Sequence, residues 1–175
     1  MSEEGLAGEK AGENADRNEQ QAQEVALRYL AQASRSKASL ILYLKRKGFS
    51  HGVAEKVAER LEAESVIDDT RTARSYAEAR LASQPRGKGL LAYELRQRGY
   101  AEDVIRAVMR DLYPDGDETL WARRALSARF SWQNERLFED PALLKKAQRF
   151  LHARGFSTST ILAVLKEEPS THYLD

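Results

Sequence analysis

The chain has 175 residues, no cysteine and a nearly balanced charge, with 28 Lys and Arg against 27 Asp and Glu. The lack of cysteine excludes a disulfide scaffold, a thiolate nucleophile and thiolate-bound zinc or iron–sulfur clusters. No stretch approaches the roughly 18–20 apolar residues that span a bilayer, and the acidic N-terminus lacks the apolar core of a secretory signal. We therefore expect a soluble, cytoplasmic protein, and a net charge of +1 by itself indicates no particular partner.

The composition favours an all-α fold. The chain holds 25 Ala and 21 Leu but only 7 Val and 4 Ile, and β-sheets prefer the β-branched residues that are scarce here. The four prolines all fall where the apolar periodicity breaks, at Pro85, Pro114, Pro141 and Pro169. The sequence therefore predicts helices that end at these prolines.

Residues 1–20 are predicted to form a disordered acidic tail. They hold six acidic residues against two basic ones, and Leu6 is their only large apolar residue. Such a segment buries too little apolar surface to offset the entropy lost on ordering. This tail carries a charge of −4, so residues 21–175 carry +5.

An internal repeat follows the tail. Three segments align on a glycine: LKRKGFS at 44–50, LRQRGYA at 95–101 and LHARGFS at 151–157. Each has a leucine four residues before the glycine, a base directly before it and an aromatic residue directly after it. This pattern is typical of a helix that ends on a glycine in the left-handed conformation, after which Ser50 or Ser157 can cap the next helix. We assign these residues to the fold alone: Gly48, Gly99, Gly155, Leu44, Leu95 and Leu151.

A further amphipathic run precedes each of these helix pairs, which predicts three tandem three-helix repeats. Their expected bounds are 21–67, 68–114 and 115–168, followed by a C-terminal tail at 169–175. Either Asp68 or Asp69 can cap the first helix of the second repeat. Because stacked helical repeats contact only their neighbours, we expect an elongated, curved body.

Motifs that carry chemistry are lacking in the sequence. The three histidines are scattered without the spacing of a zinc site, and the phosphate-binding P-loop is absent. The segment Gly87–Ala92 matches the GxGxxA fingerprint of dinucleotide-binding proteins, but no strand precedes it. Trp121 and Trp132 are more typical of core positions than of a ligand site. We expect no catalytic residue, no metal and no cofactor.

Basic residues are concentrated in the second and third repeats. On helices they can contact nucleic-acid phosphates or an acidic protein surface, although a solvated amphipathic face is an equally good interpretation. Arg98 and Arg154 directly precede glycine caps, where a cation also stabilises the helix dipole. The candidate partner-binding residues are Arg80, Arg86, Lys88, Arg96, Arg98, Arg149 and Arg154.

Segments of the second and third repeats resemble the RecX family, the regulators of the bacterial recombinase RecA. The resemblance covers about residues 24–166. In the second repeat it rests on Asp68, Asp69, Tyr76, Arg80, Gly87, Glu94, Leu95, Gly99 and Tyr100. In the third repeat it rests on the run QRFLHARGF, which includes Phe150, Gly155 and Phe156. Apart from Arg80, we expect these motif residues to be structural. The chain departs from the family pattern at Thr72 and Lys88, where Phe and Pro are usual, and its link from Arg80 to Gly87 is one residue longer.

The resemblance implies a non-enzymatic protein that inhibits RecA. Members of the family bind in the groove of the RecA–DNA filament and reduce ATP hydrolysis and strand exchange, so the expected context is homologous recombination, DNA repair and the SOS response. The expected partners are RecA, its nucleoprotein filament and single- or double-stranded DNA, and the expected state is a monomer. Two alternatives stay open: a trihelical protein that binds DNA on its own, and a helical scaffold for another protein.

Overall fold

The computed structural model describes residues 3–130 and 140–166, with side chains from residue 17 onward. These residues form nine α-helices and a short 3₁₀ turn, and they contain no strand, which confirms the predicted all-α class. The bounds are α1 Glu3–Gln32, α2 Lys37–Arg46, α3 His51–Ala63, α4 Asp69–Ser83, α5 Lys88–Gln97, α6 Glu102–Leu112, the 3₁₀ turn Pro114–Gly116, α7 Thr119–Phe130, α8 Pro141–Ala153 and α9 Thr158–Lys166. In this part of the chain no helix is both long and apolar enough to cross a bilayer.

The described residues divide into two compact units. Unit 1 runs to Thr72 and includes Arg98–Tyr100, whereas unit 2 consists of Ala73–Gln97 and the residues from Ala101 onward. The helix α4 therefore begins in unit 1 and continues in unit 2. The predicted bounds of the three repeats stay a prediction, and the predicted tail at 169–175 lies outside the described residues.

The core of unit 1 lies between α1, α2 and α3. Its buried side chains include alanines on α1 and leucines on α2, and they pack with one face of α3, where Val57 and Leu61 are buried and Val53 is half-buried. Burying one such leucine contributes about 1.5–3 kcal/mol. The small alanines on α1 let the helices approach closely.

The core of unit 2 includes a cluster between α7, α8 and α9. In α9 the buried side chains are Ile161 and Val164, and Leu165 packs against the cluster. Trp121 packs against this cluster, and its indole N–H donates to the carbonyl of Leu112 at 3.1 Å. It is therefore a core residue, as predicted, whereas Trp132 lies outside the described residues.

The glycine caps are confirmed. Gly48, Gly99 and Gly155 have φ values of +96°, +79° and +76°, in the left-handed region that glycine adopts without strain. After Gly48 the amide of Phe49 donates to the carbonyl of Leu44 at 3.2 Å, as in a Schellman motif. The hydroxyl groups of Ser50 and Ser157 then accept from the amides three residues onward, each at 3.3 Å.

The helix α1 begins at Glu3, within the segment that the sequence predicts to be a disordered tail. The side chain of Glu19 is only 13% exposed, and it accepts from Lys56 Nζ at 3.0 Å. It also lies 3.6 Å from the guanidinium of Arg60. The prediction of disorder was based only on the small amount of apolar surface that residues 1–20 can bury. A helix that is already fixed by packing from Ala22 onward extends at little cost through residues of high helix propensity.

Candidate functional site

In unit 2, the start of α5 lies directly on the end of α8. The amide of Gly87 donates to the carbonyl of Arg154 at 2.8 Å. A Cβ atom on Gly87 would lie 1.9 Å from the carbonyl oxygen of Gly155, and a Cβ atom on Gly155 would lie 2.4 Å from Leu90 Cβ. Both motif glycines are therefore required by the close approach of two backbones.

The same kind of junction occurs in unit 1, where the start of α2 lies on the segment Arg98–Tyr100. Here the hydroxyl of Ser36 donates to the carbonyl of Arg98 at 2.7 Å, and the hydroxyl of Ser39 donates to it at 3.0 Å. A Cβ atom on Gly99 would lie 3.1 Å from Ser36 Oγ. The two junctions differ because the one in unit 1 uses side-chain hydroxyl groups and the one in unit 2 uses a backbone amide.

The pair Asp68 and Asp69 caps two different helices. Asp68 accepts from the amide of Arg71 at 2.8 Å and so caps its own helix, α4. Asp69 instead accepts from the amide of Lys37 at 2.9 Å and caps α2. Burial raises the pKa of the Asp69 carboxyl above its ordinary value, although the hydrogen bond from Lys37 lowers it. Asp68 thus caps the helix that follows it directly, whereas Asp69 caps a helix that begins 32 residues earlier in the chain.

Asp117 and Glu118 repeat this arrangement in unit 2. Asp117 accepts from the amide of Thr119 at 2.7 Å. Glu118 is 5% exposed, and it accepts from the backbone amide of Lys88 and from that of Ser157, the second at 2.9 Å. Sequence reasoning missed Glu118, although a second acidic pair ahead of a helix was visible as a signal. This carboxylate holds the N-termini of α5 and α9 together.

The motif residues Tyr76 and Arg80 and the candidate residue Arg86 meet around the carboxylate of Glu94. It accepts from the hydroxyl of Tyr76 at 3.0 Å and from Arg80 Nε at 3.3 Å. Arg86 Nη1 lies 2.8 Å from the other carboxylate oxygen. Arg86 is 8% exposed, and its Nε has no hydrogen-bond partner. The structure therefore brings Arg80 and Arg86 together, and it buries Arg86.

Tyr113 supports the backbone of this cluster. Its hydroxyl is buried and donates to the carbonyl of Arg86 at 2.8 Å. Burial raises the pKa of Tyr113, and the nearby Glu118 carboxylate raises it further. The phenol therefore stays protonated at neutral pH, so it remains a hydrogen-bond donor.

Arg154, at the end of α8, lies over an aromatic ring. Its guanidinium lies 4.9 Å from the centroid of the Phe150 ring. Burial lowers the pKa of Arg154, and the positive charges of Arg86, Arg129 and Arg80 lower it further. In the part of the chain that the structure describes, no carboxylate lies within 4 Å of the guanidinium of Arg129 or Arg154.

The other candidate residues lie outside this cluster. Arg96 is exposed and pairs with both carboxylate oxygens of Glu102, which raises the pKa of Arg96 and lowers that of Glu102. Lys88 and Arg149 have exposed side chains. Arg98 is exposed in unit 1, and its carbonyl accepts the hydroxyl groups of that junction.

The remaining motif residues are apolar and form part of the core. Leu95, Tyr100 and Phe156 are buried, and Phe150 packs against the cluster in unit 2. Within residues 17–130 and 140–166, no group of three His, Asp or Glu side chains could hold a metal ion. The polar side chains of the described site therefore interact through ion pairs and hydrogen bonds.

Comparisons with known proteins agree with this architecture. Residues 22–61 match the family described as "RecX, first three-helix domain", and residues 68–109 match "RecX, second three-helix domain". The regulatory protein RecX of Chlorobium phaeobacteroides (strain BS1) is 30% identical over 153 residues, which cover 87% of this chain and 97% of that protein. The regulatory protein RecX of Mycobacterium leprae (strain Br4923) is 32% identical over 151 residues, which cover 86% of both chains.

Two solved structures share the fold. The crystal structure of RecX from Lactobacillus salivarius has a TM-score of 0.70 at 18% identity and matches 86% of this chain and 96% of its own. A second crystal structure of a regulatory protein RecX has a TM-score of 0.72 at 22% identity and matches 95% of this chain and 79% of its own. At this level of identity the likeness shows the fold alone.

Proposed function

The chain belongs to the RecX family of regulatory proteins, and from this premise we propose that it inhibits the recombinase RecA without being an enzyme. In this proposal it binds in the groove of the RecA–DNA filament, in the cytoplasm, and reduces ATP hydrolysis and strand exchange. The observation that carries the proposal is family membership over nearly the whole chain, since the match covers 97% of the Chlorobium relative. The all-helical fold and the positive charge of residues 21–175 support it.

Exposed basic side chains are the proposed contacts with the filament. Lys88 on α5 and Arg149 on α8 are both exposed, and guanidinium and ammonium groups at such positions attract phosphates and acidic protein surfaces. The full set of proposed contacts is Arg80, Lys88, Arg96, Arg98, Arg149 and Arg154. Arg86 was a candidate from the sequence, but its burial and its pairing with Glu94 favour a role in positioning its neighbours.

The test is a titration of the cognate RecA with the purified full-length chain. We expect ATP hydrolysis stimulated by single-stranded DNA to fall as the protein is added, because bound protein would obstruct the filament. An ATPase rate that stays unchanged across the titration would contradict the proposal.

The contact residues are tested with a double charge reversal, Lys88→Glu with Arg149→Glu. We expect it to weaken inhibition about tenfold or more, since reversing a contact charge replaces attraction with repulsion. The matched control is Arg28→Glu with Arg71→Glu, which reverses two exposed arginines outside the candidate set. Circular dichroism must show unchanged helicity in both variants, and equal losses of inhibition in both would mean that only overall charge matters.

A scaffold for a different protein is the competing function. A pull-down with this chain that recovers a partner from cells lacking RecA, together with an unchanged ATPase titration, would favour it.

A gel-filtration measurement at micromolar concentration tests the expected monomeric state.

A further inference from the structure

The glycine cap at the end of α2 differs from the other two caps in what lies against it. Among the described residues, nothing lies within 4 Å of a Cβ atom built on Gly48. A Cβ atom on Gly99 would lie 3.1 Å from a serine oxygen at the start of α2, and one on Gly155 would lie 2.4 Å from a leucine carbon of α5. The start of another helix therefore covers the caps of α5 and α8. The cap of α2, residues 45–49, is uncovered, and we call it the open cap.

The backbone carbonyl before each cap glycine shows the same difference. The carbonyl of Arg98 accepts from two serine hydroxyl groups, and that of Arg154 accepts from the amide of Gly87. In the part of the chain that the structure describes, nothing donates to the equivalent carbonyl of Lys47. The open cap therefore has an acceptor to offer where the other two caps have a bonded one.

The aromatic residue after each cap glycine differs in the same sense. Tyr100 is 6% exposed and Phe156 is 4% exposed, whereas Phe49 is only half-buried. In an array of helical repeats each unit buries its surface against a neighbour, so a terminal unit leaves one such surface uncovered. The open cap therefore keeps an aromatic ring that one more helix would bury.

The two covered caps show what kind of helix start fits. The covering helix is directly preceded by Ser36 in one case and by Gly87 in the other, and this residue donates to the carbonyl of the cap. In both cases a carboxylate accepts from the amide of the first helical residue. That carboxylate belongs to Asp69 for α2 and to Glu118 for α5. A fitting helix therefore starts after a serine or glycine and has an acidic cap.

The charge of the open cap matches such an acidic cap. Lys45, Arg46 and Lys47 are exposed, and within the described ranges no carboxylate lies within 4 Å of their cationic groups. The N-terminus of an incoming helix carries the positive end of its dipole and would be repelled by these bases. A carboxylate at that N-terminus reverses the sign of the interaction.

The third repeat does not provide this helix start to a second copy of the chain. The position of Ser36 and Gly87 relative to the cap glycine is taken by Leu143, which packs against the core cluster of unit 2. The helix α8 begins before this position, at Pro141, and Asp140 caps its own amides. The observations therefore favour a helix from another protein.

We propose that the open cap docks the first turn of a helix of a protein partner, a helix that follows a serine or glycine and is capped by Asp or Glu. In the docked state the serine hydroxyl or glycine amide donates to the carbonyl of Lys47, and the carboxylate lies beside Lys45 and Arg46. The identity of the partner rests on the proposed function, which makes it RecA. None of the filament contacts proposed above lies in the open cap.

The test measures the affinity of the full-length chain for a RecA filament assembled with ATPγS on biotinylated single-stranded DNA, by biolayer interferometry. The variant is Gly48→Asn, because asparagine tolerates the left-handed conformation of the cap while its side chain fills the docking space. The matched control is Gly52→Asn, on α3, where the space around a Cβ atom is also open. We expect Gly48→Asn to lose about tenfold or more in affinity, and Gly52→Asn to stay within about twofold of the parent chain.

A second variant tests the charge of the open cap, and it carries the test if Gly48→Asn fails to fold. It is Lys45→Gln with Arg46→Gln, and the matched control is Arg28→Gln with Arg71→Gln, which removes two exposed arginines of the same unit. Only the first pair should lose affinity, and its loss should shrink as NaCl is raised from about 0.05 M to about 0.3 M. Circular dichroism must show equal helicity in both variants.

Hydroxyl-radical footprinting separates docking from a structural role of the cap. Binding of the filament should protect Phe49 from oxidation, because the docked helix covers the exposed part of its ring. Tyr100 and Phe156 are already buried, so their labelling should stay low with and without the filament. A cap that only terminates α2 would leave the labelling of Phe49 unchanged.

The inference is overturned if Gly48→Asn binds like the parent chain, if Gly52→Asn loses as much affinity, or if Phe49 stays unprotected on the filament. An equal loss of affinity for the same DNA without RecA would also overturn it and assign the open cap to a nucleic acid. Loss of a parent-chain oligomer in Gly48→Asn, seen by gel filtration, would assign the cap to a second copy instead.

The ATPase titration distinguishes failure of this inference from failure of the proposed function. Undiminished inhibition of RecA by Gly48→Asn would contradict the docking surface and leave the proposed function standing. A parent chain that neither binds the filament nor lowers its ATPase rate would contradict both.

Discussion

Two arginines separated by the 51-residue spacing of the repeat are held in different ways. In unit 1, the guanidinium of Arg35 lies 5.2 Å from the centroid of the Tyr29 ring, which stacks on Tyr43 at 3.9 Å. In unit 2, the equivalent Arg86 pairs with Glu94 at 2.8 Å. The Nε atoms of both arginines are buried without a hydrogen-bond partner. The repeat therefore preserves an arginine whose Nε atom is buried and changes the side chains that surround it.

The side chains next to the two arginines differ in charge between the two units. Positions 29 and 43 hold neutral aromatic rings in unit 1, whereas the equivalent positions 80 and 94 hold an arginine and a glutamate. Contact with an aromatic ring stabilises a guanidinium group without adding a second charged side chain. In unit 2 two arginines, Arg80 and Arg86, instead pair with the one carboxylate of Glu94. A shared backbone pattern thus surrounds the arginine with aromatic rings in unit 1 and with charged side chains in unit 2.

The largest expected effect concerns the junction of unit 2. Gly87→Ala should destabilise the protein by about 3 kcal/mol or more, because the added methyl group overlaps backbone atoms that cannot move away without breaking the cap of α8. The measurement is the free energy of unfolding from a denaturant titration. The matched control is Gly89→Ala, two residues further on, where a Cβ atom has nothing within 4 Å and alanine favours the helix. Equal stability of the two variants would mean that the backbones at this junction do not approach as described.

The intermediate effect compares the two arginines directly. Arg86→Met should cost about 2 kcal/mol, because it leaves Glu94 partly buried with one cationic partner fewer. Arg35→Met should cost about 1 kcal/mol, since it removes only the contact with the Tyr29 ring and some packing. Denaturant unfolding at 0.1 M and 1 M NaCl measures both. Only the cost of Arg86→Met should shrink at high salt, and an equal salt response would remove the distinction between an arginine held by an ion pair and one held by an aromatic ring.

The smallest expected effect is a difference in the pH dependence of stability between the two acidic pairs. The pKa of Asp69 is raised in the folded protein, so the folded state binds more protons than the unfolded state just above pH 3.8. Its contribution to stability therefore falls as the pH rises through that window. The pKa of Asp117 is lowered by its hydrogen bonds with Thr119, so its contribution grows as the pH rises towards 3.8 from below.

Unfolding titrations between pH 2.5 and 7 check this contrast. Asp69→Asn should make the slope of stability against pH more positive just above pH 3.8, and Asp117→Asn should make it less positive below that value. Slopes that change with the same sign in both variants would contradict the opposite environments of the two carboxyl groups.

Much of the local structure could be predicted from the sequence. The left-handed glycines after α2, α5 and α8 and the caps at Ser50 and Ser157 depend on interactions within about five residues, so a short pattern contains all the information. The helix α1 could not be predicted over its whole length. Its acidic N-terminal half lacks the apolar periodicity on which such predictions depend, and its start is fixed by continuity with the packed half.

The candidate site was predictable only in part. Arg80 and Arg154 were visible as basic residues in motifs, but the burial of Arg86 and the two long-range caps of Glu118 were not. Lys88 and Ser157 lie 30 and 39 residues away from Glu118, and no local pattern records which distant amide a carboxylate will meet.

The sequence by itself therefore determined the helical class, the repeated helix–glycine–helix unit and the membership of the RecX family, because each follows from local periodicity or from recognisable motifs. Only the tertiary structure decided which charged side chains form ion pairs with one another and how deeply each pair is buried. That choice depends on distances between residues far apart in the chain, and electrostatic energies depend on those distances and on burial. Residues of the same type, such as Arg86 and Arg96, consequently end in a buried pair and an exposed pair.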